Sequence, residues 1–252
     1  MNSTPLIITG LTKRFDAGTI NEKLVINGFD LTVPAGQFVT LLGANGSGKT
    51  TLFNLILGRL FPDSGSIRLG DEDISRQKDY RRALNIGCLY QNPLRGTAPN
   101  MTLEENLALA YTRKASRTFF AVNRKDNAFF RDQLAMLDMG LENRMKTKMG
   151  LLSGGQRQAA SLLMATIARP RLLLLDEHTA ALDPKTSVSL MNLTDEFVSC
   201  DKLTALMITH HMEDALKYGN RVLVMKDGKI VSDLNQAQKQ EMTITDYYQL
   251  FD

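Results

Sequence analysis

Residues Gly43-Ala44-Asn45-Gly46-Ser47-Gly48-Lys49-Thr50 satisfy the pattern G-x-x-x-x-G-K-[ST], set between an apolar run, Phe38 to Leu42, and a helical pattern through Leu52, Leu55 and Ile56. This context demands a strand that hands a glycine loop to the start of a helix. In such a loop, backbone N–H groups curl around phosphate oxygens, Lys49 neutralises the outer phosphates, and the Thr50 hydroxyl can ligate Mg²⁺. A glycine turn with a chance lysine is the alternative, and the flanking strand and helix argue against it.

The rest of the chain alternates in the same manner. Leu6 to Thr9, Leu24 to Ile26, Phe29 to Val33 and Ile67 to Leu69 read as strands, with turn chemistry at Pro34-Ala35-Gly36 and Asp63-Ser64-Gly65 and a helix stop at Gly58. From Pro93 to about Gly150 the β-rich runs give way to helical patterns, one carrying Leu103, Leu107 and Ala110, another Phe130, Leu134 and Leu137. Arg113, Lys114, Arg117, Arg124 and Lys125 lie there around Phe119 and Phe120, read as a solvated helix-loop face in preference to a membrane-facing or nucleic-acid patch. Beyond it come a helix from Ser153 to about Ala168, a strand Leu172 to Leu175, a helix near Ser187 to Phe197 and a strand Ala205 to Thr209. Arg221 to Met225 and Lys229 to Ser232 form a hairpin across Asp227-Gly228, and Thr243 to Phe251 a closing helix capped by Thr243 and Asp246. Strands alternating with helices imply a largely parallel sheet that binds ligands beyond the carboxyl ends of its strands.

Composition excludes several classes of function. Lys plus Arg number 30 against 27 Asp plus Glu, a net charge of +3, too mild to call for nucleic acid or anionic lipid. Cys88 and Cys200, both in apolar surroundings, form no spaced framework for a disulfide scaffold or a zinc site. No apolar run approaches the roughly 20 residues of a membrane helix, and the first residues lack a secretory signal, so the cytoplasm is expected.

Two further segments carry chemistry. Leu172 to Leu175 read as a buried strand ending in Asp176 and Glu177; one carboxylate would hold Mg²⁺ beside the glycine loop and the other would orient or deprotonate a water. Leu152-Ser153-Gly154-Gly155-Gln156 opens a helix with a capping box, an anion-attracting start that capping physics alone explains as a well-made helix terminus.

These motifs, in this order and followed by a histidine after a strand, resemble the nucleotide-binding domain of ATP-binding cassette transporters over nearly the whole chain. The resemblance implies an α/β fold: a P-loop core with a mainly parallel sheet, an N-terminal antiparallel β region and an inserted α-helical subdomain. It places the domain at 1–232, the insert with the signature at about 92–160, and a short helical tail at 233–252. Gly43, Asn45, Gly46, Ser47, Gly48, Lys49, Thr50 and Thr51 would hold ATP, and Thr50, Gln91 and Asp176 Mg²⁺. Glu177 would act as base, with Lys49, Gln91 and His210, the switch histidine, as further catalytic groups. Ser153, Gly154, Gly155 and Gln156 would reach ATP held by a second subunit, Asp183 would link the two sites, and Phe15 would stack on adenine, a core phenylalanine being the alternative. His178 stands where most members have proline and His211 follows His210; a metal shared by the three histidines is disfavoured, because the pattern has no ligand mechanism.

The implied activity is ATP hydrolysis coupled to transport, by a homodimer around two ATPs on a separate membrane permease. The permease would dock near Pro99 to Leu103, with an extracytoplasmic substrate-binding protein in the complex and no nucleic acid; the chain would sit on the inner face of the membrane. The run Asp176 to Pro184 is similar to a bacterial importer subgroup associated with aromatic amino acids. An exporter or lipid-extraction ATPase is the alternative, and a non-transport relative acting on nucleic acid or ribosomes a more distant one.

Overall fold

The computed structural model describes residues 4–114, 124–242 and 246. The N-terminal region is a four-stranded antiparallel sheet of order β2-β1-β4-β5, built from β1 (Leu6–Phe15), β2 (Lys23–Val33), β4 (Ser64–Leu69) and β5 (Glu72–Asp73). The runs Leu24 to Ile26 and Phe29 to Val33, expected as separate strands, are one strand. Likewise β1 continues past Thr9 to Phe15. Gly10 and Gly28 adopt positive φ where the register between β1 and β2 shifts. The backbone donors freed there find side chains: Gly10 N–H donates to Asp30 Oδ1 (2.8 Å) and Gly28 N–H to Thr12 Oγ1 (3.2 Å).

The second sheet has six strands in the order β10-β9-β3-β8-β7-β6, with β3 (Phe38–Gly43), β6 (Ile86–Leu89), β7 (Leu172–Asp176), β8 (Ala205–Ile208) and β9 (Arg221–Lys226) all parallel. Only β10 (Lys229–Asn235) runs antiparallel, returning across the two-residue turn Asp227-Gly228, both in the left-handed region. Along β7 the leucines divide by parity. Leu172 and Leu174 pack toward the antiparallel sheet and α1 (Lys49–Leu57), while Leu173 and Leu175 pack toward the helices on the other face. A strand covered on both sides must be apolar throughout, hence the unbroken leucine run.

That other face is roofed by α3 (Leu103–Tyr111), α4 (Arg124–Ala135), α5 (Gly154–Thr166) and α6 (Pro184–Cys200), where Leu103, Leu107, Phe130 and Leu134 are fully buried. The remaining α-helices among the described residues are α2 (Asp79–Arg82) and α7 (Met212–Lys217), neither anticipated in the sequence, and α8 (Gln236–Glu241), which lies in the stretch 233–252 expected as a helical tail. The basic segment around Phe119 and Phe120 lies for the most part outside the described residues, as does the closing helix expected from Thr243 to Phe251. Cys200, read as apolar in its surroundings, is exposed at the end of α6, whereas Cys88 is partly buried on β6. Among the described residues no helix is long and apolar enough to cross a membrane.

Candidate active site

β3, β8, β7 and β6 are parallel neighbours, so the residues that follow them, Ala44 onward, Thr209-His210, Asp176-Glu177 and Gln91, emerge at one edge of the sheet. At its centre the loop after β3 turns into α1. Gly43 is packed so closely that a Cβ there would meet Met225 O at 2.5 Å and Ser47 Oγ at 2.6 Å. Gly48 caps the helix at φ 105°, a conformation that costs any L side chain strain. The first N–H groups of α1 have no acceptor within the helix and carry its positive end.

Lys49 is folded back over this loop, donating to Gly43 O (2.7 Å) and Ala44 O (3.0 Å). It is buried, which pushes its pKa down, while the carboxylates of Glu177 and Asp176 pull it back up. Two of its three N–H donors are used, leaving one for an oxyanion. Ser47 Oγ is buried without a hydrogen-bond partner, an orphan that a phosphate oxygen would satisfy. Asn45, Gly46 and Thr50 are exposed and Thr51 half-exposed. The donor set of this cradle fits a polyphosphate, and the Thr50 hydroxyl beside it fits a hard cation.

Asp176 ends β7 half-buried; burial and the adjacent Glu177 raise its pKa, opposed by Arg59, Arg95 and Lys49. Glu177 leaves the strand at φ 44°, in the left-handed region that a glutamate occupies only when its surroundings enforce it. Its N–H donates to Ile208 O (3.1 Å), and its Oε2 lies 3.3 Å from His210 Nδ1. The His210 and His211 rings pack 4.1 Å apart. His178 points elsewhere: it is buried, its Nε2 is 3.1 Å from Thr194 Oγ1, and burial pushes its pKa down to about 4. Gln91 is exposed two residues beyond β6, its neighbour Tyr90 pinned through its carbonyl to Gln158 Nε2 (2.9 Å) on α5.

The structure does not join every expected group to this edge. Ser153 caps α5 in a full capping box with Gln156, whose side chain is held by Arg144 Nη1 (2.9 Å) and reaches Met139 O (3.3 Å). Among the described residues no hydrogen bond links Ser153, Gly154, Gly155 or Gln156 to the loop 43–50, and Ser153 and Gly154 are exposed. Asp183 is the exposed N-cap of α6, accepting from Thr186 N–H (3.1 Å). Phe15 is half-buried at the end of β1 and no part of the core, with Lys13 Nζ 5.8 Å from its ring centre. In the region Pro99 to Leu103 the backbone pairs with the loop before α5, Gly150 N–H to Pro99 O and Met149 N–H to Met101 O (both 2.9 Å), and Leu103 is fully buried.

Sequence reasoning missed the basic groups beside Asp176. Arg59 stacks on the Tyr90 ring at 4.8 Å and donates to its hydroxyl (2.7 Å). With Arg95 and Arg113 it lines a cavity of about 250 Å³ between β6, α5 and residues 93–96. No local pattern marks an arginine just past a helix stop, so no signal could have found it.

A glycine cradle, a folded-back lysine and a strand-end carboxylate pair at the edge of a parallel sheet define a P-loop nucleotide-binding cassette. The ABC transporter family model matches residues 26–180. A tyrosine transport ATP-binding protein of Clostridioides difficile is 36% identical over 98% of both chains. The spermidine/putrescine import ATP-binding protein PotA of Marinobacter nauticus is 37% identical over 91% of this chain, which spans 57% of that protein. A dimeric post-hydrolysis state of an ATP-binding cassette, bound to ADP and Pi, superposes with a TM-score of 0.77 at 26% identity, covering 92% of this chain and 98% of that one. The chain belongs to the ABC transporter family, whose cassettes hydrolyse ATP to drive transport.

Proposed function

We propose that this chain is the ATPase subunit of a bacterial importer, acting as a homodimer with two ATPs between the loop 43–50 of one copy and Ser153 to Gln156 of the other. The observation that carries the reading is Glu177, held in a strained turn beside Asp176, with His210 at 3.3 Å from its carboxylate. In this reading Lys49 and the N–H groups of α1 hold the phosphates, Ser47 Oγ gains its missing partner, and Phe15 stacks on the base. Thr50, Asp176 and Gln91 would hold Mg²⁺, which when bound neutralises phosphate charge that Lys49 alone cannot. Glu177 takes the proton of the attacking water, and His210, through its contact with Glu177, keeps that carboxylate turned to its task.

The helix start at Ser153 is exposed, capped and rich in backbone donors, and it has no acceptor in its own chain's nucleotide loop. A second copy would bring a triphosphate to it, with Asp183 at the junction. Residues 92–160 then form the inserted helical subdomain and 233–252 the tail. The permease docks near Pro99 to Leu103 and holds this chain at the membrane's inner face, and an extracytoplasmic substrate-binding protein completes the complex on the other side. The similarity to the tyrosine transport protein, which extends over nearly the full length, supports an amino acid as solute and an aromatic one in particular.

Glu177→Gln tests the catalytic core. Turnover should fall by roughly 10²–10⁴-fold while ATP binding persists and an ATP-dependent dimer accumulates in size-exclusion chromatography. Adding Ser153→Arg should abolish that dimer without weakening nucleotide binding to the single chain. Unchanged turnover in the first variant removes Glu177 as base; dimerisation surviving in the double variant removes the shared site.

A further inference from the structure

The turn after β7 carries a strained residue, and the hydrogen bonds of Glu177 N–H to Ile208 O and of Ala180 N–H to Glu177 O fix only its backbone. The next side chain supplies the missing anchor. His178 is 2% exposed and, among the described residues, meets a single hydrogen-bond partner, Thr194 Oγ1, at 3.1 Å; Thr194 is itself fully buried on the inner face of α6. The Thr194 hydroxyl donates to Leu190 O at 2.8 Å. A hydroxyl has one hydrogen, and that one is committed, so toward His178 the oxygen accepts and Nε2 carries the proton. The chain of bonds thus has one direction: imidazole to hydroxyl to helix carbonyl.

We propose that His178 and Thr194 are a positioning pair that ties the Glu177 turn to α6 and so sets where the Glu177 carboxylate points. The proposal rests on Glu177 being the base. The tether spans a loop whose far end is Asp183, the cap of the same helix, so the segment between His178 and Asp183 is anchored to α6 at both ends. A purely apolar core at this position would serve packing equally well; a buried, directed polar pair serves orientation. If the tether is cut, the turn can relax out of the left-handed region and the carboxylate swings away from its place, whereas the phosphate cradle on α1 is untouched.

The test uses the full chain and measures kcat and KM for ATP, nucleotide affinity and melting temperature. Thr194→Val keeps the shape and removes the hydroxyl: kcat should fall by about 10–100-fold with KM within about twofold, and Thr194→Ser should restore most of the rate. Should the valine variant fail to fold, His178→Leu and His178→Gln make the same comparison, glutamine retaining an N–H donor. A folded valine or leucine variant with wild-type kcat, or one whose loss is not recovered by serine or glutamine, overturns the pair. Glu177→Gln run in parallel separates the two readings: its inactivity beside an unchanged Thr194→Val refutes the tether alone, while its survival removes the base and the proposal with it.

Discussion

Replacing Arg82 by leucine should lower stability more than any conservative change at the nucleotide site itself. Arg82 closes α2 and is 1% exposed, yet its guanidinium serves four carbonyls: Nη1 donates to Leu55 O (2.6 Å) and Ile56 O (2.9 Å), Nε to Gln77 O (2.9 Å) and Nη2 to Ser75 O (3.0 Å). The first two belong to the last turn of α1, where carbonyls lack intrahelical donors and carry the negative end of the helix, so the guanidinium caps the helix whose other end forms the phosphate cradle. Burial pushes its pKa down to about 10, with Asp73 opposing, so the charge is costly to hold. Charge-assisted bonds contribute about 1.5–3 kcal/mol each, and desolvating the guanidinium takes back several kcal/mol. Leu55 O keeps the Gly58 N–H (3.3 Å), so truncation leaves up to three buried acceptors unmet at ~1–3 kcal/mol apiece, relieved in part by water, which brings the expected loss to about 3–5 kcal/mol. For a chain of this size that is a fall in melting temperature of roughly 6–20 °C. Thermal and urea unfolding followed by circular dichroism measure it, the urea midpoint moving at constant slope. Arg82→Lys should recover only a minor part, since an ammonium is a point charge that cannot span a planar fork of four acceptors. A drop below about 3 °C in Arg82→Leu, or full recovery by lysine, would refute the capping argument.

Gly48→Ala would add a Cβ about 3.0 Å from Ile26 Cδ1 and Met225 Cε at φ 105°; the strain of ~1–3 kcal/mol should weaken nucleotide binding by roughly 5–150-fold in a fluorescence titration, and unchanged affinity would mean the loop rearranges freely. Strong acid should destabilise the N-terminal sheet. The Lys13 ammonium beside Asp63, with the Arg14 N–H, and the Ser75 hydroxyl and N–H on Asp73 hold both carboxyls below their ordinary value of 3.8. Folded pKa values below unfolded ones give stability that is present above pH 3.8 and lost as pH falls through the lowered values; Asp63→Asn with Asp73→Asn should flatten that limb of the stability curve, and an unaltered limb would contradict the assignment.

What could be read in the sequence was what lies local in it. The glycine loop, the Asp176-Glu177 pair and the capped start at Ser153 each concentrate their chemistry within a few residues, and their flanking periodicities named the elements that carry them. The order of the sheet could not be read that way, because β3 is flanked by β8 and β9, which arrive more than 160 residues later, and no local pattern states which parallel strands are neighbours. Nor could the continuity of β2: Gly28 looks like a break, and only the pairing with β1 and the Thr12 hydroxyl that receives its N–H turn it into a bulge. Nothing local marks Arg82 for burial, which depends on four carbonyls from two separate segments converging on one fork.

In the proposed dimer, the same locality explains why one chain alone would not complete the catalytic apparatus. The edge of the parallel sheet gathers an ammonium, an orphaned hydroxyl and two carboxylates, whereas the helix start at Ser153 satisfies itself through Gln156, Arg144 and Met139 and offers its remaining donors outward. If closure of two copies brings those donors to a triphosphate, nucleotide must bind the closed pair far more tightly than the open one. Moving such an equilibrium from 1:99 to 99:1 requires about 5.5 kcal/mol of differential affinity, and loss of the terminal phosphate removes the very oxygens that supply it. In the proposed reading Glu177 would do more than speed a hydrolysis: from its strained turn it would determine when the closed state loses its ligand. A carboxylate given that task needs a fixed backbone more than a mobile one, which is consistent with φ 44° being enforced from the sheet by Ile208 and, through His178, from α6.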